Sequence, residues 1–403
     1  MVLVASAILM VVMGTRQSQG LFVSPLNTST GLGIASISLA IAIGHFVWGA
    51  IQPVAGAIAD RYGPGRVLAT GVLAFAIGSA LTPLVKSSTG LILTLGVLAA
   101  AGAGAASFSV LIGAVGRYVP VDKRGIASGV INAGSSLGQF IVAPVAQLLI
   151  SVTGWMHAMW YLAIAGLALL PLTRMLRVRP TPNTAERGAA DSFTNQETEK
   201  DNGLRSAVMQ AFANPSYLLL HAGFFTCGFH ITFLVTHLPG EVQLCGQSPQ
   251  VASWSLSIIG AANVIGSLLV GWSTQKYRSK YLLFWMYASR TALILAYLAA
   301  PKTAMTFYIF AGGLGLTWLA TVPPTAAIIG KLFGSRYLAT LFGLTLFSHQ
   351  VGGFLGAWLG GIAFEGLGDY TLMWYFDAAL AALAALVNLP IKEARIAPTL
   401  NPV

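Results

Sequence analysis

Arg16, His230, His349 and Asp377 are the side chains in this sequence best suited to binding or proton chemistry, and all four lie inside long apolar stretches. If those stretches cross a bilayer, a charge at their midpoint costs at least ~2.5–3.5 kcal/mol on insertion scales. Arginine does not shed its proton. Arg16 therefore needs an anion, a helix dipole or a water-filled cavity, and it is either a structural group on helix carbonyls or an anion ligand. His230 is either a hydrogen-bonded packing residue or a titrating group, since a histidine changes charge near pH ~6.5. His349 is either a cavity ligand or a clasp beside the glycines at 352, 356 and 360, whose four-residue spacing allows close helix packing. His237, one heptad beyond His230, is expected nearer the outside, in an outer vestibule. Arg290 and Asp377 read as structural and open to pairing with each other. Asp377 is the one carboxylate within the apolar spans. If it reached a cavity it would be the leading proton carrier.

Polar residues also recur at helical spacing. Asn132, Ser135, Ser136 and Gln139 fall at i, i+3, i+4 and i+7, and His45, Trp48 and Gln52 form a similar stripe. Asn263 with Ser267, and Trp318, Thr321 and Thr325 beside Pro323-Pro324, make two more. Each stripe alone is explained by hydrogen bonds between helices. Together they read as the lining of a polar cavity.

The elements that must hold these residues are membrane helices. The chain has 403 residues, 56% hydrophobic and only 8% charged, against about a quarter charged in soluble domains. A spanning helix needs ~20 largely apolar residues. Twelve stretches meet that length, roughly 3–26, 34–58, 67–85, 91–116, 126–150, 156–176, 214–238, 251–273, 281–300, 303–330, 338–363 and 371–391. The first has no basic n-region or cleavage site and reads as a span, not a signal peptide. Of the 22 Lys and Arg, eighteen fall in alternate loops and tails, Lys86 and Lys302 in the opposite loops, and Arg16 and Arg290 within spans. That asymmetry puts both termini on the cytoplasmic side. It also accounts for the net charge of +10 without a nucleic-acid partner. Residues 177–213, mixed in charge and poor in apolar residues, read as a flexible cytoplasmic linker between an N-terminal six-helix bundle (1–176) and a C-terminal one (214–403). Pro25 and Pro239 are expected to end the first and seventh spans, and Pro53, Pro144 and Pro323-Pro324 to interrupt others.

The halves repeat at an offset of about 214 residues. GTRQSQGLFVSPL (14–26) aligns with GFHITFLVTHLPG (228–240), pairing Arg16 with His230. SGVINAGSSLGQF (128–140) aligns with FGLTLFSHQVGGF (342–354), pairing Ser135 with His349. Between them, GAIADRYGPGR matches GWSTQKYRSK (271–280), which keeps basic residues and loses the Asp. In GAIADRYGPGRVL, residues Gly56, Asp60, Arg61, Gly63 and Arg66 fit G-x-x-x-D-R-x-G-x-x-R. This pattern, with twelve spans and duplicated halves, resembles the major facilitator superfamily of secondary transporters. The resemblance implies an all-α membrane fold of two pseudo-symmetric six-helix bundles around a central cavity. It also implies that spans one, two, four, five, seven, eight, ten and eleven line the cavity. Gly56, Asp60, Arg61, Gly63 and Arg66 would form a cytoplasmic gate. The first span and HQ-x-G-x-F-x-G in the eleventh are similar to bacterial monocarboxylate and oxalate:formate porters. Those porters usually hold the carboxylate with an arginine in the eighth span, where 251–273 has no basic residue.

Other motifs carry nothing. GSSLG (134–138) fits a nucleophile elbow but sits in a membrane helix, and Asn27-Thr28-Ser29 is a chance glycosylation sequon. There is no nucleotide-binding loop, no metal spacing, no implied cofactor and no catalytic constellation, and Cys227 and Cys245 make no disulfide framework. The expected function is transport of a small organic anion, a monocarboxylate type, coupled to a proton or counter-anion, by a monomer in the cell inner membrane. The substrate ligands are expected to be Arg16, His230, His349, Asn132, Gln139, Gln52, Asn263 and Trp318, and the proton-coupling candidates His230, His349 and Asp377. An exporter of amphipathic drugs in the same fold is the first alternative. Its family arginine is replaced by Leu98, and the fifth span has only Ala143-Pro144 where exporters carry glycine-proline. A transport-like receptor is the second.

Overall fold

In lipid every backbone N–H and C=O must find its partner within the protein, so apolar runs of spanning length become helices. The computed structural model of the chain describes residues 1–116, 118–119, 124–176, 203–274, 276–334 and 337–393. In the first half, α1 (Val2–Gln17) and α2 (Gly20–Thr30) are followed by α3 (Ile34–Tyr62) and α4 (Pro64–Leu81). Then α5 (Ser88–Leu91) runs through a π-helical stretch, Ile92–Ala99, into α6 (Ala100–Ala105), with α7 (Phe108–Gly116) completing that span. Next come α8 (Arg124–Thr153), α9 (Trp155–Leu167) and α10 (Leu170–Met175). The second half holds α11 (Gly203–Ala213), α12 (Pro215–Leu244), α13 (Pro249–Ser273), α14 (Ser279–Ala299), α15 (Ala304–Gly315), α16 (Val322–Phe333), α17 (Leu338–Leu367) and α18 (Thr371–Asn388). Nine described helical spans are long and apolar enough to cross a membrane, ten with the bent pair α1–α2. The long α17 and the short pair α15–α16 occupy the remaining two of the twelve expected ranges.

Helix ends follow local chemistry. Gly63 alone separates α3 from α4, at φ +92°, and Pro64 opens α4. A residue with a Cβ is strained there, so the stretch expected to be a charged loop is a one-residue turn between two helices. At α12, Asn214 Oδ1 accepts the amide of Ser216 at 2.9 Å and Pro215 takes the first helical position.

The breaks are not where the prolines suggest. Pro25, Pro53, Pro144 and Pro239 all lie inside continuous helices. The first span bends by 50° at Ser18–Gln19, ahead of Pro25. Pro239 leaves the carbonyl of Val235 without a helical partner, and Gly20 brings its backbone against that carbonyl. Only Pro323-Pro324, at the start of α16, follows a true interruption. The linker expected at 177–213 lies outside the described residues as far as 202. Its last part, Gly203–Ala213, is helical.

The main helix pairs joining the halves are α3 with α17, α8 with α13, and α2 with α12, and α2 also touches α13. Glycines permit these main approaches, Gly361 meeting Ser38 and Gly49 meeting Gln350 between α3 and α17, Gly260 meeting the Ser136 carbonyl, and Gly20 meeting that of Val235. The α3–α17 seam runs from Ala35–Glu365 to Gly49–Gln350, toward the end that carries the turns at Gly31–Gly33 and Gly368. Among the described residues, the hydrogen bonds between the halves are Ala35 N to Glu365, Ser257 Oγ to the Phe140 carbonyl, and Asn263 Nδ2 to Ser136 Oγ. Within the second half, the glycine strip of α17 packs on α12, with Gly352 and Gly356 against the Phe225 and Phe229 carbonyls.

Candidate functional site

Arg16 occupies the last turn of α1, where unpaired carbonyls give the helix end a partial negative charge. The bend at Ser18–Gln19 brings that end into the bundle interior. The residue is 4% exposed. Its Nη2 donates to His45 Nδ1 at 3.1 Å, and its guanidinium carbon sits 4.6 Å from the centre of the Trp48 ring. Its Nε has no partner, and no carboxylate pairs with it among the described residues. The α3 stripe read from sequence thus does converge on Arg16 through His45 and Trp48. Gln52, further along it, is buried with its Nε2 unpartnered.

The α8 stripe divides. Ser135 Oγ takes a long hydrogen bond from Gln17 at 3.4 Å, and Ser136 binds across to α13. Gln139 is wholly buried with both amide atoms unpartnered, lying against Gly260, and Asn132 is half-buried. Asn263 is fully engaged. It donates to Ser136 Oγ at 2.7 Å and its Oδ1 accepts the Leu319 amide at 2.9 Å, so it stitches α8, α13 and the α15–α16 break together.

His230 and Arg16 align in the repeat but differ in setting. His230 turns into the second half, its Nδ1 2.5 Å from Asp377 Oδ2 and its ring 6.2 Å from that of Trp318. All three residues are excluded from solvent, and His230 Nε2, Asp377 Oδ1 and Trp318 Nε1 lack partners. Asp377 therefore faces inward from α18, and it pairs with His230, not with Arg290. Arg290 instead caps α15: it donates to the carbonyls of Thr317 and, at 2.9 Å, Trp318, and to Thr317 Oγ1 at 3.2 Å. Its Nη1 reaches Cys227 Sγ at 3.5 Å. The guanidinium supplies donors exactly where the chain leaves helical geometry, which is why the break at 316–321 is tolerated.

His349 is half-buried on α17, its ring 5.1 Å from Phe224, and it lies within electrostatic reach of both His45 and Cys227. It stands at the meeting of the halves. His237 is not in a vestibule: it is buried, with Nε2 on the Ala357 carbonyl at 2.8 Å and Nδ1 3.3 Å from the Tyr370 hydroxyl.

Of the residues expected to form a cytoplasmic gate, Arg61 is exposed with its guanidinium carbon 5.3 Å from the Tyr62 ring centre, Arg66 is exposed, and Gly56 adjoins open space. The Asp60 side chain lies outside the described residues. In the second half the missing acid is supplied from elsewhere. Glu393, past α18, accepts the Lys280 amide at 2.5 Å and pairs with Lys331 at 3.1 Å.

His45 was read from sequence only as one of a stripe, and two residues escaped that reading. Cys227 carried no signal beyond its place three residues before His230. Glu241 is a second intramembrane carboxylate, because α12 continues to Leu244; it is buried and accepts the Tyr297 hydroxyl at 2.7 Å. Lys302, in the turn before α15, covers that tyrosine with Nζ 3.8 Å from the ring centre. Among the described residues no cluster of three or more His, Cys, Asp or Glu could hold a metal ion.

The chain is similar to known carriers along almost its whole length. Monocarboxylate transporter 13 of Rattus norvegicus is 26% identical over 385 residues, covering 94% of this chain and 86% of that protein. YcxA of Bacillus subtilis, an uncharacterised MFS-type transporter, is 23% identical, covering 93% of this chain and 90% of that protein. Among solved structures, a D-xylose–proton symporter superposes with a TM-score of 0.76 at 15% identity, covering 97% of each chain. A bacterial homologue of the human lysosomal transporter Spinster, inward-facing and unoccupied, gives 0.70 at 15% identity over 96% of this chain and 92% of that one. The family model of the Major Facilitator Superfamily matches residues 5–321, and the chain, a non-enzymatic multi-pass membrane carrier, belongs to that superfamily.

Proposed function

We propose that this carrier moves a small organic anion, of the monocarboxylate type, by alternating access and with coupling to a proton or a counter-anion. One observation carries the reading. Arg16 is a buried, permanently charged group at a helix break, with a free Nε and no acidic partner among the described residues. An unpaired cation in a low-dielectric interior strongly favours an anionic guest. The similarity to monocarboxylate transporters supports the substrate class.

The His230–Asp377 pair is the proposed proton site. A histidine and a carboxylate in hydrogen-bond contact hold one proton between them, and a change in exposure of either would release or take one. With both termini cytoplasmic, the seam from Ala35–Glu365 to Gly49–Gln350 is on the outer side, which is closed in this state. Gly56, Asp60, Arg61, Gly63 and Arg66 then latch the inner side in the opposite state, around a monomer in the plasma membrane whose bundles are 1–176 and 214–403.

The test is uptake of radiolabelled lactate and acetate into proteoliposomes, with and without an imposed pH gradient, by the wild type and Arg16→Gln. Saturable uptake that Arg16→Gln abolishes, with the variant still folded, is the expected result. Uptake by Arg16→Gln with unchanged KM, or saturable binding without flux, would overturn it.

A further inference from the structure

Arginine has no acceptor atom, so the 3.1 Å contact between Arg16 Nη2 and His45 Nδ1 reads only one way. The guanidinium donates and Nδ1 accepts through its lone pair. That fixes His45 as the neutral tautomer with its proton on Nε2. His45 Nε2 is therefore a donor, and it has no partner.

It is not alone. Arg16 Nε, Trp48 Nε1 and the Gln52 amide nitrogen are also buried donors without acceptors. Arg16 touches both His45 and Trp48, so these two gather around a single guanidinium, with Gln52 one turn further along α3. The other charged or titratable group near His45 is His349, on α17 across the seam, and it makes no hydrogen bond to it. The cluster thus holds several donors and no free carboxylate, and buried donors are normally satisfied.

From this arrangement we infer that His45 is a second anion-binding residue, donating Nε2–H to another oxygen of the guest, such as a 2-hydroxyl, whose carboxylate Arg16 binds through Nε–H. The inference rests on the anion-transport reading above and adds a specificity-determining residue to it. Arg16 plays two parts: it neutralises the guest, and by donating to Nδ1 it sets the tautomer that makes His45 a donor. The pair acts as a fork in which one prong orients the other.

The variants that separate this role from simple support of Arg16 are His45→Asn and His45→Gln. Asparagine sets a carbonyl oxygen near the position of Nδ1, which keeps the acceptor for Arg16, but it offers nothing at Nε2. Glutamine reaches the Nε2 position with an amide N–H. The experiment measures KM and Vmax for radiolabelled lactate in proteoliposomes at one pH, and lactate binding by calorimetry in detergent, for the wild type and both variants. Thermal melting confirms folding. His45→Asn is expected to raise KM and the dissociation constant about tenfold or more, with Vmax changed much less, and His45→Gln to recover most of the loss. Wild-type KM in His45→Asn, or equal impairment of both variants, would overturn the inference while leaving anion transport intact. No lactate or acetate binding by the wild type would remove the anion reading, and this assignment with it.

Discussion

Asp377 Oδ2 stands 2.5 Å from His230 Nδ1, a contact between α18 and α12 closed off from solvent on all sides. A pair so buried has consequences for both coupling and stability. Removing one partner of a buried pair leaves an uncompensated group and costs about 3–5 kcal/mol. The isosteric Asp377→Asn keeps the shape and a hydrogen-bond acceptor while abolishing the shared proton. Uptake driven by an imposed pH gradient should fall at least tenfold in this variant, and exchange of labelled for unlabelled substrate at equal pH should persist. Unchanged gradient-driven uptake would show that the pair is structural.

Arg290 makes the contrasting prediction. Each of its three nitrogens already donates, to Thr317, Trp318 or Cys227, so it acts as a cap for a broken helix. Each hydrogen bond from a charged group contributes about 1.5–3 kcal/mol. Arg290→Gln should therefore lower the thermal midpoint in detergent by several degrees and reduce the yield of folded protein. Whatever folds should keep wild-type KM. A raised KM in well-folded Arg290→Gln would return this residue to the binding site.

These two residues mark the limit of what sequence can tell. The spans were legible because hydrophobic length is a property of each segment alone, and the glycine strip of α17 because its spacing is local. The facing of Asp377 is a property of the packed bundle. A trace of it existed in the sequence, since Asp377 shares a buried face with Trp374 and with Ala381, Ala384 and Ala385, three small residues that admit a close neighbour. Pro25 and Pro239 misled for a similar reason: whether a proline ends a helix depends on what covers the freed carbonyl, and Gly20 does that for Val235. The pairing of Arg16 with His45 spans twenty-nine residues and two helices. Only the helix rotations decide it.

Close packing of α12 on α17 is also testable. A Cβ at Gly228 would run into the carbonyl of His349, and one at Gly352 into that of Phe225. Backbone cannot retreat as a flexible side chain can, so overpacking should cost about 1–3 kcal/mol or more. Gly228→Ala and Gly352→Ala should each melt earlier than the wild type, whereas Gly343→Ala, where a Cβ meets open space, should melt with it. Equal midpoints for all three would contradict the packing described.

The last prediction concerns how the two halves part. Glu365 on α17 lends its carboxylate to the amide of Ala35 at the start of α3, at 2.8 Å, so one half caps a helix of the other. The contact exists only while that end of the molecule is closed. Loss of such a cap costs about 1 kcal/mol, which at 1.4 kcal/mol per decade is about a fivefold change in the ratio of closed to open forms. Glu365→Ala should shift the ensemble accordingly toward the state open at that end. Ser38 is buried beneath the same seam against Gly361, which makes it a reporter. In a Cys-less background carrying Ser38→Cys, a membrane-impermeant maleimide should label the Glu365→Ala protein several times faster than its parent. Glu365→Gln, which retains an acceptor oxygen, should fall between them. Labelling at one rate in all three would mean that the carboxylate merely rests on α3, and that the closed state is held by the glycine-mediated contacts of α3 with α17 and of α2 with α12.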